Sequence, residues 1–191
     1  MPAEQAVDAA TVVLVEGVSD QRAVLALAAR CDRDLRSEGT AVLPMYGATN
    51  IGHFLRRYGP PGLNVRVAGL CDLAEMRFFH KALDSVGMGN SSTVGDLENQ
   101  HFFVCDADLE DELIRALGVA MVEEILAEQG DLASFRILQQ QPAQQGKSDL
   151  ARLRRFMGTR GGRKIHYAPL LVAALDLAAL PRPLAGLVAA I

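Results

Sequence analysis

Acidic side chains stand directly after three apolar segments of the sequence. Glu16 follows VVLV, Asp72 follows VAGLC and Asp106 follows FFVC. Each segment has the length and composition of a buried parallel strand, and a helical pattern comes after it. Because ligands of open α/β sheets bind outside the carboxyl ends of the strands, acids at these positions indicate a functional site. Further acids follow within about one turn of these three, namely Asp20, Glu75, Asp108 and Glu110.

Carboxylates that converge at one edge of a sheet repel one another, and a bound cation offsets that cost. Oxygen ligands favour hard ions, so the acids predict a Mg²⁺ or Mn²⁺ site. Magnesium held by a few carboxylates keeps positions for water and for phosphate oxygens. It can then orient a nucleophile and stabilise charge on a leaving oxygen, which suits phosphoryl transfer.

Helix capping is the alternative explanation for single members of this set. Asp72-Leu-Ala-Glu75 and Asp108-Leu-Glu-Asp111 have the spacing of a capping box, and Asp20 suits the positive end of a helix dipole. Capping does not explain Glu16, which lies on the strand side of a glycine. It also does not explain why acids follow three separate strands, so we favour the metal site.

A basic cluster lies between residues 147 and 164 and includes a single acid, Asp149. Its members are Lys147, Arg152, Arg154, Arg155, Arg160, Arg163 and Lys164. Such a cluster is either a solvated helix face or a surface that contacts phosphates. The net charge of the chain, −4, does not by itself indicate nucleic-acid binding.

The elements that must position these residues alternate between strand and helix. We predict strands over 11–16, 41–46, 64–71 and 101–105. We predict helices over 19–31, 51–58, 74–86, 108–117, 119–129, 133–141, 150–156 and 164–180, with a loop over 87–95. Pro44 suggests an edge strand, and Pro181 and Pro183 are expected to end the last helix. The pattern predicts a lead-in over 1–10, an α/β core over 11–130 and a C-terminal helical extension over 131–191 that carries the basic cluster.

Length and composition are those of a globular chain. The sequence has 191 residues, of which 50% are hydrophobic, and contains three widely separated cysteines. An odd, scattered set predicts buried free thiols rather than disulfides or a zinc site. No apolar run reaches the roughly 18 residues of a membrane span, and the N-terminus lacks a basic signal-peptide region. We therefore expect a cytoplasmic protein without membrane contact.

The segment VLVEGVSD resembles the first motif of the TOPRIM domain, which topoisomerases, bacterial primases, recombination proteins and OLD-family nucleases share. Three later segments narrow the resemblance: GLCDLAEMRFF, FFVCDADLEDELIRALG and LARLRRFMGTRGGRKIHYAPLLVAAL. In this order they resemble the TOPRIM region of OLD-family ATP-dependent endonucleases, in a form seen in actinobacteria. The resemblance implies a Rossmann-like core, with a parallel four-stranded sheet between helices, and a helical extension.

The resemblance also implies an enzyme, a nuclease that cleaves DNA phosphodiester bonds with two divalent ions. The glutamate of the first motif corresponds to Glu16, and the first aspartate of an Asp-x-Asp motif corresponds to Asp72. The C-terminal lysine corresponds to Lys164, which would stabilise the transition state. The metal ligands implied are Glu16, Asp20, Asp72, Glu75, Asp106, Asp108 and Glu110. The nucleic-acid contacts that we predict within the basic cluster are Arg152, Arg154, Arg155, Arg160 and Arg163.

Two departures from the family pattern keep an alternative open. Ala74 replaces the second aspartate of Asp-x-Asp, and Glu75, about 100° further round a helix, is the expected substitute. No segment of this sequence resembles the ATPase domain of full-length OLD nucleases, and Gly146-Lys147-Ser148 is no P-loop because Gln141 stands where glycine is required. We therefore expect a stand-alone TOPRIM protein, one that works with a separately encoded ATPase, or an excised domain. The alternative is a non-catalytic TOPRIM protein that binds nucleic acid or serves a separately encoded ATPase. An RNA substrate and a homo-oligomer also stay open.

Overall fold

The computed structural model describes residues 8–89 and 92–191, so most of the predicted lead-in lies outside the described residues. Within them, four strands form one parallel sheet in the order β2-β1-β3-β4. The strands are β1 (Thr11–Val15), β2 (Thr40–Pro44), β3 (Arg66–Asp72) and β4 (Phe102–Cys105). The predicted α/β class and parallel four-stranded sheet are confirmed, and Pro44 does lie in an edge strand.

Helices cover both faces of the sheet. They are α1 (Val18–Arg30), α2 (Ile51–Tyr58), α3 (Met76–Ser85), α4 (Val94–Asn99), α5 (Leu109–Glu128), α6 (Leu132–Gln139), α7 (Asp149–Met157), α8 (Arg163–Ala174) and α9 (Arg182–Ala190). Gly118 interrupts α5 with a positive φ of 75°, at the point where the sequence predicts a break between two helices. Among the described residues, no helix is both long and apolar enough to cross a bilayer.

The central strand β1 is buried on both sides, which is why it reads as a continuous apolar run. Val13 and Val15 pack with α1, α5 and the C-terminal helices, whereas Val12 and Leu14 pack with α2 and α3. All four side chains are fully buried. The acid that follows this strand is therefore held at the edge of a rigid sheet.

The C-terminal helices are packed onto the core through α8 and α9. Arg30 of α1 donates hydrogen bonds from Nη1 to the backbone carbonyls of Val172 and Leu175, at 2.8 and 2.6 Å. These bonds fix the C-terminal end of α8 to α1. The predicted helix over 164–180 was wrong in length, because Leu175 is extended (ψ 147°) and α8 ends at Ala174.

The proline-rich tail also differs from its prediction. Pro181 and Pro183 stand at the start of α9 instead of only ending a helix, a position that suits a residue without a backbone N–H. Gly186 lets α9 approach the Phe103 ring so closely that a Cβ would clash with it. Helix α9 therefore packs on the face of the sheet formed by β3 and β4.

One predicted loop contains the start of a helix, and one predicted helix is divided. Thr93 and Asp96 form a capping box that starts α4, partly within the predicted loop over 87–95. Residues 90 and 91 of that loop lie outside the described residues. The predicted helix over 74–86 divides into a 3-10 turn (Leu73–Glu75) and α3.

Candidate metal and phosphate site

Glu16 and Asp72 follow or end neighbouring strands and therefore meet at the carboxyl edge of the sheet. β1 pairs with β3 in parallel, and Glu16 directly follows β1 while Asp72 is the last residue of β3. Asp20 joins them from the first turn of α1, where its Oδ2 accepts a hydrogen bond of 2.8 Å from the Gly17 N–H. Because β1 is followed by Glu16-Gly17 and then directly by α1, Glu16 and Asp20 are brought to the same edge of the sheet.

The electrostatics of these acids show how closely they are crowded. Burial raises the pKa of Asp20 to about 7, and the charges of Glu110 and Glu16 add to the effect. Burial raises the pKa of Asp72 to about 8, and the charges of Glu16, Asp20 and Asp108 add to the effect. Ionised carboxylates at this edge are therefore costly unless a cation accompanies them.

Glu75 lies on the same side of the site as Glu16. Burial, followed by the charge of Glu16, raises the pKa of Glu75. Its Oε2 is buried and has no hydrogen-bond partner among the described residues. Ala74, which occupies the family aspartate position, is exposed. The geometry is thus compatible with the prediction that Glu75 replaces the family aspartate at position 74.

A second group of charges stands at the start of α5. Glu110 is 3% exposed, and its Oε2 accepts a hydrogen bond of 2.8 Å from Lys164 Nζ. Lys164 also lies 3.4 Å from Asp108 Oδ2, and Arg154 Nε lies 3.1 Å from the same oxygen. Burial would raise the pKa of Asp108, but Lys164, the Asp111 N–H and Arg154 outweigh it and lower the pKa.

The capping alternative is right for Asp108 and wrong for Asp72. Asp108 Oδ1 accepts a hydrogen bond of 2.9 Å from the Asp111 N–H and so caps α5. Asp72 stands at the cap position of its 3-10 turn without a side-chain capping bond among the described contacts. Asp20 both caps α1 and joins the acidic group, so the two roles do not exclude each other.

Asp106 does not join the group, although the sequence predicts it as a ligand. Its side chain is 72% exposed and forms an ion pair of 3.1 Å with Arg115. Arg115 also pairs with Glu112 at 2.7 Å, and Glu112 accepts a hydrogen bond of 2.9 Å from the Asp106 N–H. Glu112 is buried and was not predicted; its one sequence signal is its place in the acidic first turn of α5. The Arg115 contacts turn Asp106 away from the site.

The basic cluster divides into exposed and structural members. Arg155 and Arg160 are exposed, and Arg154 reaches the site through Asp108. Arg152 instead pairs with Asp149 at 2.9 Å and donates to a backbone carbonyl. The predicted nucleic-acid contact through Arg163 is not compatible with its position. Its buried guanidinium donates to the carbonyl of Phe156 at 3.0 Å and stacks on that ring.

The chemistry of the side chains suits a divalent cation, because carboxylate oxygens are its preferred ligands. Among the described residues, however, no group of three or more acids, histidines or cysteines is placed so that it could hold a metal ion as it stands. Glu16, Asp20, Asp72 and Glu75 form one half of the site, and Asp108 and Glu110 form the other. Glu110 Oε1, like Glu75 Oε2, is buried without a partner in the described chain. Unpaired carboxylate oxygens and raised pKa values mark positions that a cation would stabilise.

Comparison with known proteins agrees with this fold. Residues 9–73, which include Glu16, Asp20 and Asp72, match the family model of the overcoming lysogenization defect protein-like TOPRIM domain. The chain therefore contains a TOPRIM domain that resembles the one in OLD proteins, as the sequence motifs indicate. None of the curated proteins compared with the chain matches it.

Solved structures of OLD proteins share the fold over nearly the whole chain. The C-terminal region of the Xanthomonas campestris pv. campestris OLD protein is 24% identical with a TM-score of 0.71, and the match covers 96% of this chain and 92% of that one. The C-terminal region of the Burkholderia pseudomallei OLD protein is 20% identical with a TM-score of 0.72, covering 95% and 96%. At these identities the likeness concerns the fold.

Proposed function

We propose that this chain is a divalent-metal-dependent nuclease that hydrolyses DNA phosphodiester bonds. The observation that carries the proposal is the meeting of strand-end acids with a lysine at one edge of the sheet. Glu16 and Asp72 come from neighbouring strands. Lys164 is paired with Glu110, and its charge also acts on Asp20. Fixed negative and positive groups at one edge match a site for metal ions and a phosphate.

Each half of the site would hold one metal ion. Glu16, Asp20, Asp72 and Glu75 would hold one ion, and Glu110 with Asp108 would share a second. A bound Mg²⁺ or Mn²⁺ supplies charge neutralisation at the phosphate and lowers the pKa of a bound water. The nucleophile is proposed to be water, because Cys71 and Cys105 are buried and burial raises the pKa of both thiols.

Lys164 would stabilise the charge that develops on the phosphate. Burial alone would lower the pKa of Lys164, but Glu110 and Asp108 outweigh it and raise the pKa. The ammonium group is therefore kept protonated at neutral pH. A cation held by two carboxylates needs little reorganisation when negative charge builds up on phosphate oxygens.

Exposed arginines beside the site would contact the nucleic-acid backbone. Arg155 and Arg160 are exposed at the end of α7 and in the turn that follows it, and Arg154 points to Asp108. Contacts of this kind release counterions, so we expect DNA binding to weaken steeply as salt increases. This term does not distinguish DNA from RNA, so both substrates belong in the experiment.

The test is nicking of supercoiled plasmid in Mg²⁺ and in Mn²⁺, with an RNA of matched length in parallel. The wild type, Glu16→Gln and Lys164→Ala are compared with Asp84→Ala, which removes an exposed acid of α3. We expect EDTA to abolish cleavage, both site variants to lose about 100-fold in rate, and Asp84→Ala to keep it. Wild-type cleavage by Glu16→Gln would overturn the assignment.

The second candidate is a non-catalytic TOPRIM protein that binds nucleic acid or assists a separate ATPase. The replacement of the family aspartate by Ala74 favours it, whereas the position of Glu75 beside Glu16 favours catalysis. Mg²⁺-dependent DNA binding without any strand breakage would support this second candidate. Co-purification with an ATPase would then identify the partner version.

A further inference from the structure

An aromatic pocket lies along the edge strand β2, next to the candidate site. It has a volume of about 220 Å³, and its ring-bearing and charged lining consists of Tyr46, His53, Phe54, Arg57 and Tyr58. This volume is below the roughly 300 Å³ at which drug-sized ligand sites begin. The pocket therefore fits a single planar ring system better than an extended ligand.

The backbone connects this pocket directly to the acidic group. The Gly47 N–H donates to the carbonyl of Glu16 at 3.1 Å, and the Met45 N–H donates to the carbonyl of Val15 at 2.8 Å. Tyr46 stands between these two anchored residues. A ligand against its ring is consequently a neighbour of any group bound at Glu16.

Tyr46 is held outward by an unusual backbone conformation. Its φ of 59° is left-handed, a region that bulky residues rarely adopt, and its side chain is 67% exposed. Asn50 secures the turn, since its Nδ2 donates to the carbonyls of Met45 and Tyr46 at 2.9 and 3.3 Å. The exposed Tyr46 ring contributes nothing to the hydrophobic core, so the strained backbone at this turn is not explained by folding and indicates a functional role.

The remaining walls supply stacked rings and a positive charge. Phe54 lies with its ring centroid 6.2 Å from that of Tyr58, and the His53 ring meets Phe54 edge-on at 5.9 Å. The Arg57 guanidinium lies 5.4 Å from the Tyr58 ring centroid and forms no ion pair within the described part of the chain. Planar faces beside an uncompensated cation suit a flat ring that is attached to a phosphate.

We propose that the aromatic pocket binds one unpaired nucleobase of the strand whose phosphate lies at the acidic site. The base stacks on Tyr46, and Arg57 faces the adjoining phosphate. This inference rests on the proposed function for the identity of the strand. It adds that the substrate has an unpaired base next to the reacting phosphate, because a base in a duplex cannot leave its stack without cost.

The test compares two 12-mers with the same number of phosphates, (dT)12 and a fully abasic strand. Binding is measured by fluorescence anisotropy in Ca²⁺, and the integrity of each probe is checked on a gel. Tyr46→Leu removes the ring and Tyr46→Phe keeps it. Met121→Ala, the control, removes an exposed apolar side chain of α5, which packs on the other face of the sheet. Folding of each variant is checked by circular dichroism.

We expect the wild type, Tyr46→Phe and Met121→Ala to bind (dT)12 about tenfold more tightly than the abasic strand. In Tyr46→Leu the ratio should fall to near one. A wild-type ratio of one, or a ratio that Tyr46→Leu leaves unchanged, would overturn the inference, whether or not any variant folds. A parallel (rU)12 arm separates DNA from RNA as the source of the base.

The outcome is independent of the cleavage assay. A base preference that depends on Tyr46 in a protein that cuts neither DNA nor RNA would support the pocket and refute the nuclease. Metal-dependent cleavage in a protein without base preference would support the nuclease and refute the pocket. The two proposals can therefore fail separately.

Discussion

Removal of one charge from the acidic site should stabilise the metal-free protein. Asp20→Asn keeps an oxygen that can accept the hydrogen bond from the Gly17 N–H, which spans 2.8 Å, but it removes an ionisable group whose pKa is raised to about 7. A rise from 3.8 to about 7 corresponds to about 4 kcal/mol at full effect. Since Asp20 is partly accessible to solvent, which screens the charge, we expect about 2 kcal/mol at pH 8.

The sign follows from proton linkage. Asp20 binds its proton more tightly in the folded state, so its protonation favours folding below the folded pKa. Stability is therefore lost as the pH rises from about 4 through about 7. The raised pKa of Asp72 acts in the same direction. The gain from Asp20→Asn should shrink to under about 1 kcal/mol at pH 5, where the folded wild type is already protonated.

Urea unfolding in EDTA at pH 5 and pH 8 measures this difference, with Asp84→Asn as the control. The control removes an exposed acid of α3 and should stay within about 0.5 kcal/mol of the wild type. Addition of Mg²⁺ should stabilise the wild type more than Asp20→Asn, because the ion relieves the same repulsion. If Asp20→Asn destabilised the metal-free protein at pH 8, the crowding argument would be refuted.

Three further variants address single positions. Asp106→Ala should keep metal-dependent stabilisation and cleavage, because Arg115 already turns that acid away; a loss of Mg²⁺ binding by calorimetry would contradict its exclusion from the site. Glu75→Ala should weaken Mg²⁺ binding about tenfold. The double variant Glu75→Ala/Ala74→Asp should bind Mg²⁺ no better, because the side chain at position 74 is exposed. If Asp at position 74 restored Mg²⁺ binding, position 74 and not Glu75 would be the ligand position. Arg163→Ala should lower the free energy of unfolding by about 2 kcal/mol and leave the salt dependence of DNA binding unchanged. Arg155→Ala should reduce the slope of log K against log salt concentration by about 1. The reverse pattern would make Arg163 the DNA contact and Arg155 the structural residue.

The meeting of Glu16 and Asp72 could be predicted because it depends on strand direction alone. Parallel strands end at the same edge, and an acid after each strand arrives there without any knowledge of packing. Asp106 satisfies the same rule and still lies outside the group. Its direction depends on Arg115, a residue on the next helix whose contacts with Glu112 exist only after α5 has packed. Local sequence contains no signal for that choice.

The helix ends in the C-terminal third were difficult to predict for a similar reason. Nothing between residues 164 and 180 marks Ala174 as a helix end, because the stop is supplied by Arg30, more than 140 positions earlier in the chain. Prolines are ambiguous signals, since the same residue ends one helix and favours the first turn of another. Pro181 and Pro183 were interpreted in the first sense and occur in the second.

The long-range contact through Arg30 also explains how a lysine so far along the chain can serve an edge that belongs to the sheet. Helix α1 begins immediately after Glu16 and ends at Arg30, which receives the end of α8. Helix α8 carries Lys164 in its first turn, beside Glu110 of α5. The distance between Lys164 and the strand-end acids is thus determined by the packing of α1, α5 and α8, three helices that share one side of the sheet. Rigid helix packing, rather than a flexible loop, is what a fixed positive charge in a phosphate site requires.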